Sequence, residues 1–307
     1  GIREQPRSRG LGDVYKRQVL ILILVPRYVA ESLDPDAEVD FDLVGVPAGT
    51  LGVALLVVAV VQGADWGYGS MTTASVAFGG VVLLVVLVVR SATHPSPLLD
   101  LGLFQLRSFW SASVGQLFFT TAFIAIVLFN TLLLQQWWGW SPLAAGFGVV
   151  AGPALAAVIG GPVGSIADRF GHRRLLVIGS LAAAGNPTWL WLRSEAEPDY
   201  LVTVLPAQFL LGIGVACSFA TFASLGLRDV PQARFATASA TLRTTSSLGF
   251  AIGVAIAVAI YSAAAYLGPV VAYRRTFAFA GLTLFAGATF CRFACPPGSF
   301  TAQPLED

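Results

Sequence analysis

The chain has 307 residues and a formal net charge of +1, with 56% hydrophobic and only 11% charged side chains, against about 25% charged in an ordinary soluble domain. With a mean hydropathy of +0.75, a water-soluble fold would lack the polar side chains to cover itself. The near-neutral balance says little about partners, and nothing in the charge pattern points to nucleic acid.

Repeated apolar windows of about 20 residues each span a hydrocarbon core. They predict an all-α integral membrane protein, multi-pass in the cell membrane, with the lipid bilayer as its first partner.

Residues 1–18 do not match the rest of the chain. Arg3, Arg7, Arg9, Lys16 and Arg17 crowd this head, Lys16 is the only lysine, and Gly1 stands where an initiator methionine is expected. Val19 to Val25 is a stub of apolar helix, far short of a bilayer span. The charged start and apolar stub imitate a signal peptide, but no small-residue cleavage site precedes the acidic run after them. Residues 1–18 are therefore expected to be a non-native head. Residues 19–42 are expected to be a truncated helix and an acidic cytoplasmic linker containing Glu31, Asp34, Asp36, Glu38, Asp40 and Asp42.

Two nearly featureless spans come next, at about 43–62 and 71–89, within a segment 43–90. Their connection holds Trp66 and Tyr68, whose amphipathic rings suit a membrane interface. A cytoplasmic loop is expected over 91–108. Six further spans are predicted at about 109–134, 143–164, 175–193, 200–226, 236–263 and 276–294. Together they make a bundle over 109–295, with a cytoplasmic tail at 296–307.

Between the second and third of these six lies a charged island, Gly164-Ser-Ile-Ala-Asp-Arg-Phe-Gly-His-Arg-Arg174. Its basic residues suit a cytoplasmic turn, because positive loops of moderate length stay inside. Setting it there also places Arg27, Arg90, Arg107, Arg228, Arg234 and Arg292 inside and leaves only Arg193, Arg274 and Arg275 outside. The C-terminus is then cytoplasmic.

Several motifs occur in a recognisable order. They are Ala30-Glu-Ser32, Asp42-Leu-Val-Gly45, Gln62-Gly-Ala-Asp-Trp-Gly-Tyr-Gly-Ser70, Pro97-Leu-Leu-Asp-Leu-Gly-Leu-Phe104, Leu134-Gln-Gln-Trp-Trp-Gly-Trp-Ser-Pro-Leu-Ala-Ala-Gly146 and the charged island itself. Over about residues 19–290 the chain resembles the second half of a fourteen-helix drug:proton antiporter of the major facilitator superfamily. The resemblance implies a C-terminal six-helix bundle of that type, preceded by two extra transmembrane helices and the truncated helix.

The island matches the family's loop motif, with His172 where a base is more usual. By the resemblance, Gly164 allows close helix packing, Asp168 ends the helix and pairs with an arginine, Arg169 belongs to the motif, and Gly171 supplies the turn. Arg173 and Arg174 anchor the loop. Two readings stand: a positive-inside turn and nothing more, or a conformational latch in which Asp168 is paired in one state and released in the other.

Polar side chains in hydrocarbon cost free energy, so they should face a cavity or a partner. Gln116, Thr120, Phe123, Val127 and Asn130 fall on one helical face. Gln116, Thr120 and Asn130 are candidates to line a translocation cavity, with interhelical hydrogen bonding as the competing role. Gln208 begins Gln-Phe-Leu-Leu-Gly-Ile-Gly214, resembling the family's fourth-helix motif with glutamine where the other half carries arginine. A glutamine cannot supply a permanent charge that tunes a carboxylate, so this half is not expected to take a direct part in proton coupling. Arg243 and Ser246 belong to a third stripe leading into Gly249-x-x-x-Gly253. Arg243 either snorkels to the interface or faces the cavity or Asp168.

The sequence has no acid within 109–165, 200–227 or 235–301. Since intramembrane carboxylates are the usual proton carriers, a proton-coupled transporter would keep its carriers in the missing N-terminal half. Cys217, Cys291 and Cys295 have no neighbouring histidine and read as buried free thiols, neither disulfide framework nor zinc site. No nucleophile–base pair or phosphate loop is evident, so neither an enzyme nor a cofactor is expected. The leading expectation, in which the resemblance implies the substrate class, is the C-terminal portion of a proton-coupled multidrug efflux permease for small amphipathic, often cationic molecules, working by alternating access. The alternative is a non-transporting membrane fragment, whether a truncated gene product or a scaffold.

Overall fold

A computed structural model describes residues 42, 44–67, 69–93, 100–193 and 198–297, with backbone alone for Ala64, 164–170 and Ala233. The head at 1–18, the truncated helix and linker up to 41, and the tail beyond 297 lie outside the described residues. Backbone amides and carbonyls have no water to bond in hydrocarbon, so apolar segments satisfy them internally as helices. Among the described residues eight helices are long and apolar enough to cross a bilayer. They are α1 (Gly45–Trp66), α2 (Met71–Thr93), α3 (Arg107–Leu132), α4 (Pro142–Phe170), α5 (His172–Arg193), α6 (Leu205–Leu227), α7 (Phe235–Ala264) and α8 (Pro269–Ala294).

Local chemistry sets the helix ends. Asp42 starts α1: its Oδ1 accepts the Val44 and Gly45 amides at 3.2 and 2.7 Å and the Arg90 Nε at 3.2 Å from the end of α2. A π-helical turn, Leu133–Trp137, continues α3, and another, Tyr200–Val204, leads into α6 beneath the Asp199 cap. Two boundaries differ from the sequence expectation for a physical reason. Helix α8 starts at Pro269, well before 276, because Arg274 and Arg275 sit in its first turns and do not break it. The island at 164–174 is almost wholly helical as well. Helix α4 runs on to Phe170 and α5 starts at His172, so the turn is Gly171 alone, at φ 84°, a conformation glycine adopts without strain.

The packing of α3–α8 has an internal repeat. Helix α3 packs on α7 and α8, as α6 packs on α4 and α5; α3 also meets α6, and α5 meets α8. Each of these contacts maps onto another when α3-α4-α5 is exchanged for α6-α7-α8. The central pair, α3 and α6, carries much of the core, including Phe119, Phe129, Leu211 and Phe222, closed by Tyr273 and Phe277 of α8. Helices α1 and α2 pack on each other and reach the bundle through α7. Before α3, a 3-10 turn at Leu101–Gln105 buries Leu103 against Phe109, Val230 and Leu242. Asp100 caps that turn through the Gly102 amide at 3.0 Å and pairs with Arg234.

Candidate functional site

A cleft of about 220 Å³ lies among α3, α4 and α6, lined by Phe123, Val127, Asn130, Val149, Gly152, Pro153, Gln208, Leu211 and Val215. Its walls are almost entirely apolar. Two backbone features shape it. Pro153 has no N–H, so the Val149 carbonyl loses its intrahelical donor. Gly152 lets α6 approach so closely that a Cβ there would stand 3.0 Å from the Gln208 carbonyl oxygen and 3.1 Å from its Oε1. Gln208 itself is 1% exposed, and its Nε2 has no hydrogen-bond partner in the protein.

Asn130 is held by an amide relay that sequence reasoning missed. Asn186 of α5, fully buried, donates its Nδ2 to the Ala207 carbonyl at 2.8 Å and accepts the Asn130 Nδ2 at 3.2 Å. The carbonyl end of this relay can only accept, which fixes the orientation of both amides. Asn130 must therefore present its Oδ1 elsewhere, and that oxygen has no partner in the protein. One unbonded acceptor and one unbonded donor thus belong to residues of the same apolar cleft. The available signal was Asn186-Pro187 inside an apolar span, an amide beside a proline that removes a helix hydrogen bond.

The structure divides the predicted α3 stripe. Phe123, Val127 and Asn130 line the cleft, whereas Gln116 and Thr120 lie in the α3–α7 seam. Ser246 Oγ donates to the Leu242 carbonyl at 3.1 Å, so it accepts the Gln116 Nε2 at 2.6 Å. Thr120 is fully buried against the bare backbone of Gly249 and bonds its own turn at the Gln116 carbonyl, 2.8 Å away. Ser246 is buried with them, while Arg243 on the same helix is exposed and outside the cleft.

At the Gly171 end, Gly164 lies within the helical backbone of α4, and the side chains of Asp168 and Arg169 lie outside the described residues, so the pairing expected of Asp168 does too. Gly171 makes the turn, His172 is buried in the first turn of α5, Arg173 is half-buried and Arg174 is exposed. His172 thus sits in a helix and not in the loop expected for it. Arg107, at the start of α3, closes the end of α8: its Nε and Nη2 donate to the Ala294 and Phe293 carbonyls at 3.1 and 3.4 Å. Cys217, Cys291 and Cys295 are all buried free thiols. Among the described residues no group of three potential ligands is placed to hold a metal ion. The arrangement offers non-covalent binding, with apolar walls and a few orienting amides.

Comparison with known proteins agrees with the eight apolar helices. The profile of the Major Facilitator Superfamily matches residues 112–305. The chain is similar to the multidrug efflux pump LfrA of Mycolicibacterium smegmatis, at 29% identity over 244 residues, covering 79% of this chain and 47% of that protein. It is also similar to the multidrug export protein EmrB of Escherichia coli, at 27% identity, covering 72% of this chain and 43% of that one. The multidrug resistance protein Stp of Mycobacterium tuberculosis is 28% identical, with 77% and 43% covered. The chain therefore spans about half the length of the curated relatives it matches.

Proposed function

Because the chain belongs to the Major Facilitator Superfamily, we propose that it forms the C-terminal portion of a proton-coupled efflux permease for small amphipathic molecules. It is a multi-pass membrane protein. In this reading α1 and α2 are the two extra helices, the segment through Leu106 is a cytoplasmic connection, and α3–α8 form one half of an alternating-access transporter with the C-terminus in the cytoplasm.

The observation that carries the proposal is the cleft bounded by Asn130 and Gln208. Apolar walls suit the hydrophobic part of a substrate, and Phe123 supplies a ring face for a cationic part. Its volume of about 220 Å³ is below that of a site enclosing a drug-sized ligand, as befits one wall of a cavity completed elsewhere. The Asn130 carbonyl and Gln208 amide then exchange hydrogen bonds with whatever fills the cleft. No carboxylate occurs within 109–165, 200–227 or 235–301, so the proton carriers belong to another part of the transporter. The Gly171 turn serves as the latch between states, through Asp168.

The test is export of a fluorescent cationic dye by cells expressing the full-length transporter that contains this chain. Proton-gradient-dependent export is expected, and Gln208→Leu should change dye selectivity by about threefold, the scale of one membrane hydrogen bond. Export that is absent with and without a gradient would rule out drug efflux. The latch is tested separately: Asp168→Asn should shift inward and outward populations in cysteine-accessibility labelling, and unchanged labelling would leave the turn a topological feature only.

A further inference from the structure

The two unbonded amide atoms at the cleft are of opposite kinds, and the backbone around them fixes which is which. Asn130 is 2% exposed and Gln208 1%. The relay through Asn186 ends on the carbonyl of Ala207, the residue just before Gln208, which brings the two amides to one level of the cleft. It turns the Asn130 Nδ2 toward Asn186 at 3.2 Å and leaves Asn130 an acceptor alone, through Oδ1. On the other side the Gln208 Oε1 faces the backbone of α4, 3.1 Å from where a Gly152 Cβ would stand. The unbonded end of that amide is therefore the donor Nε2.

The surroundings narrow what could answer both. Among the described residues no charged side chain lines the cleft, so an ammonium beside the Asn130 Oδ1 would lack a counter-charge and leave the Gln208 donor unpaired. A ketone or an ester bonds Gln208 and leaves Asn130 unpaired, and a buried polar group left that way is costly. A hydroxyl offers a donor and an acceptor from one atom, where the acceptor on α3 and the donor on α6 ask for two. The Phe123 ring supplies a flat wall, fixed by stacking on Phe119 at 6.2 Å and by edge contact with Phe219 at 5.4 Å. Both amide atoms lie just beneath the apolar lining. The terminal torsion of a glutamine is soft, so a small turn of Gln208 meets a ligand there.

We propose that the cleft selects ligands bearing a carboxamide on a flat apolar body. The carboxamide N–H donates to the Asn130 Oδ1, its carbonyl accepts from the Gln208 Nε2, and the body lies along Phe123. This rests on the cleft as a substrate wall of the permease proposed above, and it names the neutral polar group which that wall reads.

Equilibrium dialysis tests it, with the full-length transporter that contains this chain in lipid nanodiscs and protein-free nanodiscs as the partition blank. The probes are 2-naphthamide and its near-isosteres 2-acetonaphthone, 2-naphthalenemethanol and 2-naphthylmethylammonium. The amide should bind about tenfold more tightly than each of the others, the scale of one buried polar group left unpaired. Asn130→Leu should bring the amide down to the ketone, with ketone binding retained as the sign of an intact cleft. Gln208→Leu should weaken amide and ketone alike, by about tenfold, and keep their ratio. Equal binding of the amide and any other probe by the wild-type protein overturns the proposal. So does an amide preference that survives Asn130→Leu, or ketone binding undiminished in Gln208→Leu. Binding is read without a gradient, so the two readings fail separately. Absent dye export overturns efflux, whereas equal binding of amide and ketone in an exporting protein overturns the carboxamide site alone.

Discussion

The α3–α7 and α6–α4 seams occupy equivalent places in the two halves of the internal repeat, and they solve the same packing problem differently. Both bring backbones close through glycine: Gly249 and Gly253 of α7 against Thr120 and Thr121, Gly152 of α4 against Gln208. Both hold a glutamine from the central helix. In the first seam the Gln116 amide is tied across to Ser246 at 2.6 Å, and α7 contains no proline. In the second, Gln208 Nε2 is unbonded, α4 is interrupted by Pro153 and Pro162, and a cleft opens beside them. In the proposed function the first seam holds the bundle together, although its Gln116 Oε1 is also without a partner, and the second keeps its unbonded amide beside a cleft that a ligand can enter.

The largest test breaks the holding seam. A side chain at Gly253 would overlap the Thr121 carbonyl oxygen and press on Ile124, and backbone cannot move aside as a flexible side chain can. Gly253→Leu should destabilise by about 3 kcal/mol, read as loss of the monodisperse peak in detergent and a lower melting temperature. Gly152→Ala meets Gln208 atoms at 3.0 and 3.1 Å, contacts that a small shift relieves, so it should cost under about 1.5 kcal/mol. Equal losses would show that the seams do not differ in the way described.

Next in size is the relay that positions Asn130. Asn186→Ala leaves the Ala207 carbonyl and the Asn130 Nδ2 without their partners. Its cost should be about 1–2 kcal/mol of stability in detergent, near the upper measured values for intramembrane hydrogen bonds. It should also alter dye export, because Asn130 is released at the cleft. Intact export in a destabilised Asn186→Ala protein would reduce the relay to a structural tie.

A finer comparison replaces each glutamine by leucine. Gln116→Leu loses one seam hydrogen bond, about 0.6 kcal/mol. Gln208→Leu loses none within the protein and removes a buried unsatisfied donor, so stability should hold or rise. Transport should respond in the opposite order, with Gln208→Leu the more affected. If Gln116→Leu is the stronger transport defect and Gln208→Leu the less stable protein, the assignment of holding and binding seams is reversed.

How much of this was legible beforehand depended on which interactions are local. Span count and order come from apolar run length alone, which is why the eight helices coincide with the eight complete spans read from sequence. The partition of the α3 stripe was not legible. Helical spacing puts Gln116 and Asn130 on one face, but whether that face meets another helix or a cleft depends on partners 130 and 56 residues away. Asn186 was passed over because a single amide in an apolar run carries no period. The island at 164–174 reads as a loop from its charge, but charge does not reverse a chain. Only Gly171 has the backbone conformation that reverses the chain.

The smallest predicted effect concerns support of the holding seam from outside, since α1 packs on α7 and α2 packs on α1. Asp42 joins the pair: it accepts the Gly45 amide, then Arg90 and the Val44 amide, and these bonds lower its pKa below the ordinary 3.8 against an opposing cost of desolvation. The carboxylate is enclosed by its own turn and by Arg90 at 3.2 Å. A lowered folded pKa means the tie is complete above the unfolded value and is lost as pH falls through the folded one. The window therefore lies below about pH 4. Melting measured from pH 6 down to pH 3 should show a steeper acid loss for the wild-type chain than for Asp42→Asn, which lacks the titrating group. Arg90→Gln should flatten the profile only in part, because the Gly45 amide still favours the carboxylate. If the wild-type and Asp42→Asn profiles superimpose, Asp42 does not tie α1 to α2, and the holding seam stands without support from that pair.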